Sequence, residues 1–181
     1  MSPTTTLNQL TSSLSEAEQQ RLQQGEVVLI GEEGIYAVLS IVTASLETVW
    51  NVLTAYEAFP DFLPSVVACR ILERRENRIL VERKDRRKIG WLPIKVKIVT
   101  ENVETFHDRI DYRMVEGTLD HMHGNWQLVP YEGIQGHTGT LLMQKITAKA
   151  NMGPLQPYFY EVFETGLIET MTDLRTEMEQ R

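Results

Sequence analysis

The spacing of apolar residues changes several times along this chain, and each change marks an element. After a Thr/Ser-rich start, SLSEAEQQRLQQG predicts a short helix. Ser15 can cap its first amides, Glu18 can reach back to the cap amide, and Gly25 supplies a stop. Its broad polar face predicts an accessory helix. VVLIGEEGIYAVLSIVTA is strand text rich in Val, Ile and Tyr, interrupted at Gly31 and Gly34 by a turn or bulge. In SLETVWNVLTAYEAF the period turns helical: Ser45 is a good N-cap, and Val49, Trp50, Leu53 and Tyr56 share one side. Pro60 and Pro64 break this segment into a helix and a short helical turn.

From Val66 to Ile146 short alternating segments succeed one another across turn text, such as Glu76-Asn77 between VVACRILER and RILVERKD. Neighbours joined by tight turns are antiparallel, because a parallel crossover needs about a dozen residues or more. The meander therefore holds about six strands, and the strand before the first helix makes roughly seven. In PLQPYFYEVFETGLIETMTDLRTEMEQ the apolar residues return at three- and four-residue intervals, which predicts a long amphipathic helix. Pro157 is tolerable in its first turn, and Gly166 permits close packing or a bend. The expected fold class is α+β: a curved antiparallel sheet wrapped around the long C-terminal helix, with two short helices after the first strand. Such a wrap leaves an apolar space between sheet and helix, the usual form of a small-molecule site. Residues 1–25 are expected to form an N-terminal extension and residues 26–181 one ligand-binding domain.

Composition narrows the function. With 42% hydrophobic residues the chain is an ordinary globular protein. Its 18 basic and 25 acidic residues give a net charge of -7, which argues against a nucleic-acid partner. The lone Cys69 can form neither an internal disulfide nor a cysteine-based metal site, and its apolar context reads as a buried small hydrophobe. No secretory signal and no membrane-length apolar run is present, so a cytoplasmic setting is expected. There is no phosphate-binding glycine loop and no Gly-x-Ser-x-Gly elbow.

The stretch SLETVWNVLTAYEAFPDFLPSV resembles the first helices of the START-like (SRPBCC) superfamily, in its polyketide cyclase/dehydrase and coenzyme-Q-binding branch. VEGTLDHMHGNWQLVP is similar to that branch's Gly, apolar pair, Gly, Trp and Pro pattern, and GHTGTLLMQKITAKA to its following Gly-Thr strand. The likeness spans residues 34–180. It implies the helix-grip fold, in which a seven-stranded antiparallel sheet curls around the C-terminal helix and encloses a deep hydrophobic pocket. Members bind lipids, sterols, quinones, polyketides or plant hormones, or act as cyclases and aromatases. The superfamily shares no universal catalytic residue, so membership carries no reaction with it.

Among candidate sites, LDHMHGNWQLVP draws attention first. His121 and His123 point the same way on a strand and could share a metal, work as an acid–base pair, or be ordinary strand residues. His137 is a candidate third ligand. The opposite parity, Met122, Gly124, Trp126 and Leu128, is the apolar one, which puts the histidines on the polar face. The run ERKDRRK at 82–88 reads as a solvated hairpin arm or a rim patch for an acidic head group or anionic membrane. The apolar GWLP at 90–93 suits a cavity mouth or a membrane-touching tip. Glu32/Glu33 and Asp108/Asp111 show nothing that would raise a carboxyl pKa for acid catalysis.

The expected cavity lining is Trp50, Phe62, Ile98, Trp126, Leu128, Leu142, Leu155, Phe159, Phe163 and Met171. Tyr36, Tyr112, Arg113 and Tyr158 are the candidate polar groups within it. Met114, Met122, Met143 and Met152 would either give the cavity adaptable walls or fill core gaps. No metal, cofactor or catalytic residue is assigned. The first reading is binding or transport of a hydrophobic small molecule (a lipid, isoprenoid or quinone, pigment or polyketide-like compound) in an internal apolar cavity. The alternatives are a polyketide cyclase or aromatase/dehydratase, and a non-catalytic protein-interaction module on the same fold. Transient membrane or protein contact at the cavity mouth fits the first reading; no oligomeric state follows from the sequence.

Overall fold

The computed structural model describes residues 14–89, 92–132 and 138–181, with the side chains of Ile89 and Leu92 excepted. Eight strands form one antiparallel sheet: β1 (Val28–Glu32), β2 (Ile35–Val42), β3 (Val66–Arg75), β4 (Arg78–Ile89), β5 (Leu92–Thr105), β6 (Arg109–Gly117), β7 (His121–Glu132) and β8 (Thr138–Lys149). Their order across the sheet is β1-β2-β8-β7-β6-β5-β4-β3. The helices are α1 (Glu16–Gln23), α2 (Leu46–Thr54), α3 (Phe59–Phe62) and α4 (Gln156–Gln180). From β2 the chain passes through α2 and α3 to the far edge of the sheet. The meander β3–β8 then walks back until β8 pairs with β2. Breaks in register between Val66 and Ala68, Ile71 and Glu73, and Val99 and Thr100 are the bulges that help such a sheet curve.

Among the described residues the strand count is eight and not seven because the text around Gly31 and Gly34 folds into a hairpin. Glu32 pairs with Ile35, leaving Glu33 and Gly34 as a two-residue turn in which both residues have positive φ, 51° and 90°. That mirror-image turn matches the twist of the strands it joins. A Cβ on Gly34 would lie 2.2 Å from the Ala148 carbonyl oxygen, so the turn also needs glycine for close approach to the neighbouring strand.

Alternation along the strands sends side chains to two different cores. On β2, Tyr36, Val38 and Val42 join the main core inside the curve, while Ala37, Leu39 and Ile41 face outward. The inner core takes Val49, Trp50, Val52 and Leu53 from α2 and Leu167, Met171, Leu174 and Met178 from α4. The outer face would be an exposed apolar patch were it not covered by Leu14 and Leu22, which pack on Val28, Leu39, Val129, Leu141 and Met143. The start of α1 carries the capping box: the Glu18 amide donates to Ser15 Oγ (3.3 Å) and the Ser15 amide to the Glu18 carboxylate (2.7 Å). Among the described residues no helix is long and apolar enough to cross a membrane.

Leu14 and α1 therefore cover the outer face of the sheet. Leu22, 3% exposed, is the anchor. Leu22→Ala is expected to cost about 2 kcal/mol, the low end for a buried leucine because α1 is small. Urea denaturation followed by circular dichroism checks this; a loss well under about 0.5 kcal/mol, the size of an ordinary surface change, would show that α1 does not hold the face closed.

Candidate functional site

Between the concave face of the sheet and α4 lies a cavity of about 210 Å³. Its size is about two thirds of the roughly 300 Å³ at which small-molecule pockets usually begin. The wall is mainly apolar. Ile94, Ile98, Ile110, Met122, Trp126 and Ile146 come from the sheet, Phe159, Val162, Phe163 and Leu167 from α4, and Leu53, Tyr56, Phe59 and Leu63 from the helical crossover and its end. Cross-strand register explains the sheet's share. Ile98 pairs with Arg83, Ile110 with Trp126, and Gly124 with both Tyr112 and Ile146, so these positions stand on one face.

The run read as a solvated hairpin arm is divided by the pleat. Glu82, Lys84, Arg86 and Lys88 lie on the outer side of β4, whereas Arg83, Asp85 and Arg87 line the cavity. Arg83 holds Asp85 bidentately: Nε donates to both carboxylate oxygens at 3.0 Å and Nη2 to Oδ1 at 2.7 Å. Arg87 reaches across to α4, where Nη1 donates to Glu169 Oε2 at 3.4 Å. Gly166 makes that reach fit, since a Cβ there would lie 2.9 Å from Arg87 Nη1. Burial lowers the Arg87 pKa, the nearby carboxylates opposing it.

A second polar row crosses the cavity floor. Tyr112 lies against Gly124 on the next strand, where a Cβ would come within 2.6 Å of its hydroxyl. The hydroxyl accepts from Gln144 Nε2 at 2.9 Å and donates to the Lys145 carbonyl at 3.4 Å. Burial pushes its pKa far above the ordinary phenol range, so the group stays protonated. Asn102, buried, lines the cavity beside it.

Of the residues expected to line the cavity, Ile98, Trp126, Phe159 and Phe163 do so. Trp50, Leu128, Leu142 and Met171 belong to the packed core around it. Phe62 is half-buried against Phe59, and Leu155, 43% exposed, sits just before α4. Of the polar candidates only Tyr112 faces the cavity. Tyr36 instead fastens β2 to α4, donating to Glu164 at 2.6 Å; burial, aided by that carboxylate, pushes its pKa up to about 12. Arg113 pairs with Glu101 outside the cavity, and Tyr158 is 54% exposed. The methionines divide likewise: Met122 lines the cavity and Met143 packs under α1.

Helical and strand periods report which face is apolar, but not which apolar residue stops short of its neighbour. Arg83, Asp85 and Arg87 alternate with Glu82, Lys84 and Arg86, so both faces of β4 are charged and no hydrophobic marker shows which one is inside. The one available signal was the strict two-residue spacing onward from Val81, which is itself buried.

A family model described as polyketide cyclase / dehydrase and lipid transport matches residues 42–174. The chain belongs to that family. Its fold is shared with the Zhui aromatase/cyclase from Streptomyces sp. R1128 (TM-score 0.65, 17% identity, covering 86% of this chain and 96% of that one). A STAR-related lipid transfer protein from Xanthomonas axonopodis is also similar (TM-score 0.59, 17% identity, 84% and 98%). So is a protein from Thermus thermophilus (TM-score 0.68, 17% identity, 78% and 94%). No curated protein matches the sequence.

Within this member of the polyketide cyclase / dehydrase and lipid transport family, His121 and His123 stand on the outer face. Their rings meet at 2.7 Å between Nε2 and Nδ1, and both are exposed. Among the described residues no group of three or more His, Cys, Asp or Glu is placed to hold a metal ion. His137, Gly90 and Trp91 lie outside the described residues.

Cys69 lines the cavity, and burial pushes its thiol up to about 11. Between the ordinary thiol value of roughly 8.5 and about 11, the unfolded chain holds a thiolate and the folded protein a thiol. Disulfide-exchange labelling in that window is expected to be at least about a hundredfold slower in native than in urea-unfolded protein, because the thiolate is the nucleophile. Comparable rates would show that the wall is open at Cys69.

Proposed function

We propose that this protein binds and carries a hydrophobic small molecule, such as a lipid, isoprenoid, quinone, pigment or polyketide-like compound, in the cavity between the sheet and α4. The observation that supports this best is the mainly apolar wall, assembled from the sheet, α4 and the helical crossover, with only a few polar groups converging on it. Binding would remove the guest's apolar surface from water at about 25 cal/mol per Å², while Tyr112, Gln144 and Asn102 offer hydrogen bonds at one side. The lipid transfer protein among its structural relatives points the same way.

Native mass spectrometry of protein purified from its own cells is expected to show a co-purifying apolar molecule. The neutral fluorophore N-phenylnaphthylamine is expected to be taken up with a blue shift. Ile98→Trp, which fills the cavity from its floor, should weaken that uptake about tenfold or more, an indole costing well over 1.4 kcal/mol of lost guest contact. Repeated empty spectra together with no fluorophore uptake would sink the reading.

A second reading, cyclisation of a polyketide-like chain, is favoured by the polar groups that converge in the cavity and by the aromatase/cyclase among the structural relatives. Asp85 is locked by Arg83 and is poorly placed as a base, whereas the protonated Tyr112 could donate to a substrate carbonyl by giving up its long 3.4 Å contact to the Lys145 carbonyl. Tyr112→Phe separates the two: cyclisation of a poly-β-ketone thioester would fall about a hundredfold, as for loss of a donor to a developing oxyanion. Simple fluorophore binding should change less than about threefold.

A further inference from the structure

Among the described residues three ionised side chains, Arg83, Asp85 and Arg87, line the cavity, and their formal charges leave one cation over. Arg83 and Asp85 neutralise each other through three short hydrogen bonds. Arg87, two residues further along the same face of β4, has no such partner. A guanidinium carries five donors, yet among the described contacts Arg87 makes one hydrogen bond, the 3.4 Å reach to Glu169. The two sides of that pair differ sharply in surroundings: the Arg87 side chain is 18% exposed and that of Glu169 61%. Such a pair with one partner in water contributes little. A half-buried cation with spare donors costs free energy that a better-placed anion would recover.

The charges around Arg87 are Asp85 and Arg83 on its own strand and Glu169 and Asp173 on α4. Asp85 is already occupied, and Glu169 and Asp173 do not line the cavity, so from the cavity side Arg87 is the free charge. Gly166 leaves the guanidinium room to lie against the helix beside Phe163 and Leu167, at the boundary between its polar contact and the apolar wall.

We propose that the guest is an amphiphile with a single carboxylate, which takes the planar fork of Arg87 in place of Glu169 while its apolar body fills the cavity. A carboxylate matches one guanidinium bidentately, whereas a phosphate dianion would call for a second cation, and Arg83 is committed to Asp85. Glu169 acts as a stand-in that swings into solvent when the guest arrives. This inference rests on the binding reading above.

Decanoate, decanol and methyl decanoate share an apolar body and differ in the head, so titrating all three by calorimetry or fluorophore displacement separates the two ideas. The intact protein is expected to prefer decanoate over both neutral analogues by about tenfold or more, the scale of one charge-assisted contact in a partly dry site. Arg87→Gln should abolish that preference and leave decanol binding within about threefold, decanol itself reporting that the variant is folded. Glu169→Gln should tighten decanoate about two- to fivefold, by removing the competing carboxylate, without moving decanol. Equal affinity for decanoate and decanol in the intact protein would overturn the proposal while leaving binding intact, as would an acid preference that survives Arg87→Gln. Failure of all three compounds to bind would overturn the cavity reading itself and the proposal with it.

Discussion

An α-helix is about 10 Å across, while eight strands spaced about 4.8 Å apart make a sheet more than 30 Å wide. That mismatch governs this molecule. The inner face of the sheet must be covered, and α4 can cover only part of it. Curvature, helped by bulges in β3 and β6, brings the two sides of the sheet toward the helix. The crossover through α2 and α3 adds Trp50, Val52 and Leu53 to the main core. What none of these can fill remains as the cavity. The space is a geometric consequence of wrapping a wide sheet around one helix, and its lining follows from whichever side chains the pleat turns inward.

The same pleat leaves the outer face to be dealt with. Polar residues cover much of it toward β3–β6, but around β1, β2, β8 and β7 it carries Val28, Leu39, Val129, Leu141 and Met143. Leu14 and Leu22 close this patch, so Leu14 and α1 are tied to the stability of the sheet and stand apart from the cavity. The outer histidine pair belongs to this exterior world as well.

Inside the cavity the polar groups are held in place by what glycine omits. Gly124 lets Tyr112 lie flat across β7, and Gly166 lets Arg87 approach α4. In both places a missing Cβ positions a functional group on the facing element. Tyr36, by contrast, spends its hydroxyl on Glu164 and serves the closure between β2 and α4. These contacts give the cavity a hydrogen-bonding side and a charged side around an otherwise apolar space.

The order and type of elements were legible because period and turn chemistry are local. Ser15 and Ser45 cap the helices they announce, and the return of apolar residues every three or four positions marks α4. The parity of Met122, Gly124, Trp126 and Leu128 placed the inner face of β7 correctly, since one parity was apolar and the other polar. Where that asymmetry failed, so did the reading: β4 is charged on both faces, and only its pairing with β5, which sets Arg83 opposite Ile98, decides that Arg83, Asp85 and Arg87 look inward. By itself the sequence determined a meander, a gripping helix and a family, because those depend on neighbours in the chain. Which residues meet across the cavity, and that Arg87 reaches Glu169 beside Gly166, was decided by strand register and by how closely α4 approaches β4, distances that no local pattern encodes.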